Sequence, residues 1–110
     1  MFYMLDDQFQ PAPIGDDILE FIAFEKAHPD RIKLAEDRVR DVHVRTIFLG
    51  WDHAQPSYNE PLLFETMVFR GGSPEAHWRH STFEEAMAWH AKIVEIVIGL
   101  KAESDALMMT

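Results

Sequence analysis

The chain contains no cysteine among its 110 residues, so disulfide bonds and cysteine-ligated zinc are excluded and stability must come from side-chain packing. Glycine is also scarce, with five residues, and none of them belongs to a phosphate-binding loop, a nucleophile elbow or a dinucleotide-binding motif. No apolar run approaches the roughly 20 residues of a membrane-spanning helix, and the first residues lack the basic segment of an export signal. We therefore expect a cytoplasmic protein with no cofactor and no membrane partner.

Basic residues are few as well, because 10 Lys and Arg stand against 19 Asp and Glu, for a net charge of −9. Such a chain is repelled by phosphate backbones, which disfavours nucleic acid as a partner. The acidity suits a protein partner with a basic groove. Apolar side chains are plentiful, at 47% of the residues, and can fill the core of one domain. We assign residues 1–100 to a single α+β domain and residues 101–110 to a flexible C-terminal tail.

The first part of the chain predicts a strand followed by a helix. Residues 1–5 form a short apolar run that indicates a strand. A loop follows, marked by Pro11, Pro13 and Gly15. Asp16 is a candidate N-cap for the helix. The helix is expected to end near His28, since Pro29 disfavours helical geometry in the residue before it.

Two β-rich runs at the centre of the chain predict an antiparallel hairpin. They cover residues 39–51 and 62–69, with a polar loop at 52–60 between them. Residues 32–35 add a short strand, and residues 36–38 supply its turn. The predicted fold is therefore an antiparallel meander of three to four strands packed with two helices.

Both central runs carry large apolar residues on both faces. Along the first run, Val44 and Phe48 point one way, whereas Ile47, Leu49 and Trp51 point the other way. A half-solvated sheet normally shows a polar side. We therefore expect each face to be covered, either by the two helices on opposite faces or by a second copy of the chain in a homodimer.

A capping box opens the last helix. It is formed either by Ser81 with Glu84 or, in the alternative frame, by Thr82 with Glu85. The helix is expected to run to about Gly99. Its apolar stripe comprises Phe83, Met87, His90, Val94 and Val97.

Three segments of the chain carry a recognisable pattern. They are residues 44–53, which include Phe48-Leu49-Gly50 and Asp52-His53; residues 61–69, which read Pro-Leu-Leu-Phe-Glu-Thr-Met-Val-Phe; and residues 79–86, which include Ser81-Thr82 and Glu84-Glu85-Ala86, with His90 after them. Together they resemble a family of small proteins encoded by tailed bacteriophages and prophages. The resemblance implies a phage or prophage origin, and hence the cytoplasm of the host cell, but no activity. The chain departs from the family at residues 54–60, where the family has a glycine-rich loop, and at His80, where it has an aromatic residue.

Four side chains are candidates for acid–base chemistry, and none is assigned as catalytic: Asp52, His53, Glu65 and His90. Asp52 and His53 combine a carboxylate with an imidazole at the mouth of the hairpin, although a strand-ending Asp beside a partly exposed His is the alternative. Glu65 lies in mid-strand and His90 on the apolar stripe. If the helix packs on that face, Glu65 accepts a hydrogen bond from His90 in a structural or a catalytic pair; otherwise Glu65 faces water.

Two further sets of residues are candidate sites. His77 and His80 are weak metal-ligand candidates, because their spacing suits a metal only in a helix and the segment before the capping box is more typical of a loop. The aromatic residues Trp51, Tyr58, Trp78 and Trp89 are candidate binding residues, since exposed aromatic side chains often anchor interfaces. Packing within the protein is the alternative for this set.

Two functions are consistent with these features. The first is a small phage or prophage accessory protein that acts by protein binding or self-assembly, as an inhibitor of host defence, a factor in host takeover, or a virion or assembly component. The second is a small hydrolase or small-ligand-binding protein that uses the Asp, His and Glu side chains. Convergence of those four side chains in one cleft favours the second function, and scatter over two faces favours the first.

Overall fold

The structure, a computed structural model, describes residues 1–52 and 60–108, with side chains described through residue 100. In chain order the elements are β1 Phe2–Leu5, β2 Pro11–Gly15, α1 Ile18–Ala27, a 3₁₀ turn at Pro29–Arg31, β3 Lys33–Val39, β4 Val42–Phe48, β5 Phe64–Arg70, β6 Ser73–His80 and α2 Phe83–Met108. Strands β1 and β2 form an antiparallel ribbon, and β3 to β6 form a four-stranded antiparallel sheet in chain order. The predicted α+β class, a meander with two helices, is confirmed.

Strands β4 and β5 form the predicted central hairpin. Their register places Val44 opposite Val68, Thr46 opposite Thr66 and Phe48 opposite Phe64. Every second side chain of β4 is buried, starting at Val42, as expected for a strand with one face on the core. The pairing fixes which side chains of the two strands share a face.

The N-terminal region differs from the prediction in two details. The segment marked by Pro11 and Pro13 is not a loop but strand β2, which pairs with β1. Proline is tolerated there because each strand of a two-stranded ribbon is an edge strand. Asp17, not Asp16, is the N-cap of α1, and its Oδ1 accepts a hydrogen bond from the Leu19 N–H at 2.9 Å. The helix ends at His28, as predicted.

Strand β3 is longer than predicted, because residues 36–38 continue it instead of turning. Glu36 lies opposite Arg45 and Asp37 opposite Val44, so polar residues here belong to an edge strand. The chain reverses after this strand at Arg40, which has a positive φ of 57°. The segment that contains His77 and His80 is strand β6, and not the predicted loop.

Helix α2 begins in the second of the two predicted frames. The Thr82 Oγ1 accepts a hydrogen bond from the Glu85 N–H at 3.1 Å, which makes Thr82 the N-cap. The helix continues past Gly99 to Met108 and is therefore longer than predicted. No helix in the described part of the chain is both long enough and apolar enough to cross a membrane.

The main core lies where both helices meet one face of the sheet. Phe21 and Phe24 of α1 pack with Phe48, Phe64 and the first turn of α2. A second cluster farther along α2 joins Ile93 to Val42 and Val44. Both helices therefore contribute to the same face, and the expectation that they occupy opposite faces is wrong.

The second face of the sheet carries charged and apolar side chains together. Its apolar members Ile47, Met67 and Phe69 are half-buried and belong to neither core cluster. On this face Arg45 lies opposite Met67, and Glu65 lies opposite Ile47. Polar groups and the aliphatic stems of long side chains therefore share this surface. The prediction that both faces are covered considered only the apolar residues. The polar neighbours on this face allow it to contact water. The homodimer stays a prediction.

Candidate functional site

His90 joins α2 to the sheet through both of its ring nitrogens. Its side chain lies on the buried stripe of the helix, directly over the middle of β4. The Nδ1 atom is 2.8 Å from the Thr46 Oγ1, and the Nε2 atom is 2.8 Å from the Asp37 Oδ2 on β3. The imidazole therefore bridges a buried hydroxyl and a half-exposed carboxylate.

The hydrogen-bonded chain continues across the sheet beneath α2. The Thr46 Oγ1 is 2.8 Å from the Thr66 Oγ1 of β5, and the Thr66 Oγ1 is 3.2 Å from the His80 Nε2 of β6. Thr46 and Thr66 are both 0% exposed. Buried hydroxyls are costly without partners, and each of these has two. We call this chain, from Asp37 through His90, Thr46 and Thr66 to His80, the buried relay.

One proton assignment satisfies the whole relay with both histidines neutral. The ionised Asp37 accepts a hydrogen bond from His90 Nε2–H, so His90 Nδ1 is free to accept one from the Thr46 hydroxyl. Thr46 then accepts from the Thr66 hydroxyl, and Thr66 accepts from His80 Nε2–H. Burial lowers the pKa of His80 below its ordinary value, although the nearby Glu85 carboxylate opposes the shift. Burial therefore favours the neutral form of His80, whose Nε2–H is the donor in this assignment.

The relay contains the aspartate, histidine and hydroxyl of a nucleophilic triad, but its hydroxyl is not placed to attack a substrate. In such triads the hydroxyl faces the bound substrate, while the histidine takes its proton. The Thr46 Oγ1 instead lies inside the protein, between His90 and Thr66. The relay therefore fixes α2 on the sheet, and what it presents to solvent is the Asp37 carboxylate.

An apolar groove of about 450 Å³ runs along the side of α2 that faces β3, beside this carboxylate. We call it the α2 groove, and it is lined by Asp37, Met87, His90, Ala91, Val94, Glu95 and Ile98. Most of its wall is aliphatic, and Ile98 is 51% exposed. Asp37 and Glu95 place two carboxylates on the groove. Ile96 and Leu100 are also exposed but lie on the other side of the helix, since residues two positions apart point away from each other.

The three predicted acid–base residues that the structure describes, Asp52, Glu65 and His90, do not converge. Asp52 is exposed and accepts a hydrogen bond from the Leu62 N–H at 3.0 Å, across the mouth of the hairpin. Glu65 accepts a hydrogen bond from the Arg79 Nε at 3.1 Å on the second face of the sheet, whereas His90 lies on the first. The predicted bond between Glu65 and His90 is therefore wrong. His53 lies outside the described residues.

The two metal-ligand candidates point away from each other. His77 and His80 are separated by three positions on strand β6, so their side chains leave opposite faces of the sheet. His77 is exposed, and His80 is buried in the relay. Within residues 1–52 and 60–100, no group of three or more potential metal ligands is found.

The aromatic candidates lie in separate places. Trp51 is exposed and contacts Phe2, with ring centroids 5.8 Å apart. Trp78 and Trp89 contact each other edge to face at 5.8 Å, where β6 meets α2. Tyr58 lies outside the described residues. The three described rings therefore do not form one binding surface.

Asp37, Thr46 and Thr66 are the site residues that sequence reasoning missed. The signal for the threonines was their position, because both alternate with large apolar residues on the buried face of a strand. A hydroxyl at such a position needs a partner. Asp37 reaches His90 because it lies on strand β3. The sequence predicts a turn at residues 36–38 and therefore does not identify Asp37.

Comparison of the chain with protein-family models, with curated proteins and with solved structures finds no significant match. The fold and the geometry of the site are therefore the basis for a functional proposal.

Proposed function

We propose that the protein acts by binding another protein through the α2 groove. The observation that carries this proposal is the aliphatic wall of this groove, which lies on a helix that His90 holds to the sheet. Ile98 is half-exposed in this wall and lines it together with Met87, Ala91 and Val94. Contiguous apolar surface with a polar rim is typical of a protein interaction site.

The buried relay makes this surface rigid before a partner arrives. His90 holds α2 by hydrogen bonds to β3 and β4, and Ile93 packs on Val42 and Val44 one turn farther along. A preformed surface loses less conformational entropy when it binds, so more of the interaction energy contributes to affinity.

The chemistry of the groove favours a basic amphipathic helix as its occupant. Asp37 and Glu95 would meet Lys or Arg side chains, while Met87, Val94 and Ile98 would meet the apolar stripe between them. A second copy of the chain suits the groove less well, because it also carries a net charge of −9. The groove therefore indicates a basic partner.

In this proposal the protein is a small accessory factor, and the resemblance to phage-encoded proteins places its partner among host or phage proteins in the host cytoplasm. The exposed groove supports the binding function. Apolar residues on both faces of the central strands do not support it, because both helices cover the same face.

The test uses a synthetic amphipathic helix of leucine and lysine, and the same peptide with glutamate in place of lysine. Titration of the methyl-labelled protein is expected to shift the NMR signals of Met87, Val94 and Ile98 with the lysine peptide only. The variant Ile98→Asp is expected to weaken binding about tenfold or more, since it places a charge in the apolar wall.

Leu19→Asp on α1 is the matched control, because Leu19 is 70% exposed and lies outside the groove. It is expected to leave peptide binding unchanged. Equal binding of the two peptides, or equal effects of the two variants, contradicts the proposal. A dimeric wild type that becomes monomeric only with Ile98→Asp would show that the groove serves self-assembly instead.

A further inference from the structure

A separate feature lies on the second face of the sheet, away from the α2 groove. Arg45 projects from the middle of β4, and no carboxylate within the described residues lies within salt-bridge distance of it. Its guanidinium lies over the Phe69 ring at 5.1 Å, and one Nη is 4.0 Å from the Met67 sulfur. Its Nε is shielded from water and has no hydrogen-bond acceptor.

The neighbouring cations are arranged differently. Glu36 on β3 lies 2.8 Å from Lys33, 3.3 Å from Arg38 and 3.0 Å from His43. These contacts lower the pKa of Glu36 below its ordinary value, chiefly through the hydrogen bond from Lys33. The Glu36 carboxylate thus lies within salt-bridge distance of three basic groups, and Arg45 is not one of them.

A cavity of about 230 Å³ opens at this place and is lined by Arg38, Asp41, His43, Arg45, Phe69 and Gly72. Three of these side chains are basic and one is acidic, in a protein whose net charge is −9. Guanidinium groups recognise carboxylate and phosphate oxygens through a planar fork of donors. A partly desolvated guanidinium without an anion is unfavourable, so an anion in this cavity would be stabilised.

We infer that this cavity binds a small oxyanion, a carboxylate or a phosphate, with Arg45 and Arg38 as its main contacts. The Phe69 ring holds the Arg45 guanidinium in place by a cation–π contact, and His43 stacks on the same ring with centroids 5.6 Å apart. The cavity is smaller than the roughly 300–1,000 Å³ of drug-sized ligand sites. The ligand is therefore a small anion or the anionic end of a larger molecule.

This site is independent of the α2 groove, because the two lie on opposite faces of the sheet and share no lining residue. Binding at one can therefore be tested without the other. A basic peptide would be repelled by this cavity, and an anion would be repelled by the carboxylates of the α2 groove.

The experiment follows the side-chain NMR signals of Arg45 and His43 in the full chain during titration with sodium phosphate, sodium succinate and sodium chloride at matched ionic strength. Saturable shifts are expected with phosphate, succinate or both, and their difference identifies the preferred oxyanion. The variant Arg45→Gln is expected to weaken binding about tenfold, through loss of a charge-assisted hydrogen bond.

Arg70→Gln is the matched control, because Arg70 is an exposed arginine of the adjoining strand that pairs with Glu75 outside the cavity. It is expected to leave the affinity within about twofold of the wild type. Should Arg45→Gln fail to fold, Arg38→Gln decides, with a severalfold loss expected. Shifts that match those with chloride, or equal effects of the cavity variant and Arg70→Gln, would overturn the inference.

Discussion

At the scale of single residues, Thr46 and Thr66 are informative because valine would fill the same space. They lie opposite each other in the central strands, fully buried beneath α2. Each hydroxyl has a second partner in a histidine, His90 for Thr46 and His80 for Thr66. Thr46 therefore joins the helix to the sheet and Thr66 joins β5 to β6, through hydrogen bonds that an apolar residue of the same shape could not make.

The variant Thr46→Val is expected to lower the free energy of unfolding by about 1–3 kcal/mol, because His90 Nδ1 and the Thr66 hydroxyl lose a buried partner. Urea denaturation measures this loss. Thr46→Ser retains the hydroxyl and serves as the control, with the imidazole nitrogen shifts of His90 expected to stay as in the wild type. A Thr46→Val protein as stable as the wild type would contradict the role assigned to the relay.

Gly50 determines local structure because it has no Cβ. Its φ is +82°, and a Cβ at this position would overlap the ring of Phe21. Gly50 also accepts a hydrogen bond from the Tyr3 N–H through its carbonyl at 2.8 Å, which ties β1 to the end of the central hairpin. The close approach of α1 to the sheet therefore requires glycine.

Gly50→Ala is expected to destabilise the protein more than Gly72→Ala does. Gly72 has nearly the same φ, +83°, but open space around it, so it reports only the cost of a positive φ, about 1–2 kcal/mol. The overlap with Phe21 adds a cost of about 1–3 kcal/mol at Gly50. Thermal or urea unfolding of the two variants gives the difference, and equal losses would show that Phe21 moves aside freely.

At the scale of elements, β6 shows how a single strand serves two faces. His80 points into the core and ends the buried relay, whereas Arg79 points to the second face and pairs with Glu65. Adjacent residues of one strand therefore take part in a buried hydrogen-bonded chain on one face and in an ion pair on the other.

The stability of the protein is expected to fall as the pH drops below about 6.5, the ordinary pKa of histidine. Burial lowers the pKa of His80 in the folded state, so between that lowered pKa and 6.5 the unfolded chain binds more protons than the folded one. Protonation of the unfolded chain then favours unfolding. Urea midpoints measured from pH 7.5 to pH 5 test this.

His80→Gln is expected to flatten this pH dependence relative to the wild type. His77→Gln is the control, because His77 lies three positions earlier on the same strand but is exposed on the other face. A pH dependence that is unchanged by His80→Gln, or lost equally with His77→Gln, would remove His80 as its cause.

At the scale of the whole molecule, the two faces of the sheet differ in chemistry. The first is covered by both helices, and the groove between α2 and β3 adds aliphatic residues with the carboxylates of Asp37 and Glu95. The second is uncovered by either helix and concentrates basic groups around Arg45. Although the net charge is −9, the charge is distributed unevenly. The α2 groove is apolar and acidic, whereas the cavity around Arg45 is locally basic. Partners of opposite charge would address opposite sides.

The sequence by itself determined the α+β class, the central hairpin, the start of α2 within one residue frame and the end of α1 at His28. These features follow from local rules, since alternation, capping and proline act over a few neighbouring residues. The turns around residues 36–38 and the segment around His77 were misjudged, because polar residues on edge strands look like loops until their partner strand is known.

Only the tertiary structure decided the sites. Glu65 and His90 lie on opposite faces because the side of a helix and the side of a sheet that meet are chosen by long-range contacts. Asp37 and His80 are far apart in sequence and become ends of one relay when four strands align beneath α2. Likewise, Arg45 has no carboxylate partner among the described residues because the strand pairing places Glu36 next to Lys33, Arg38 and His43. The sequence alone does not show this arrangement. Local propensity fixes the elements, but the polar partners of a side chain depend on which elements pack together.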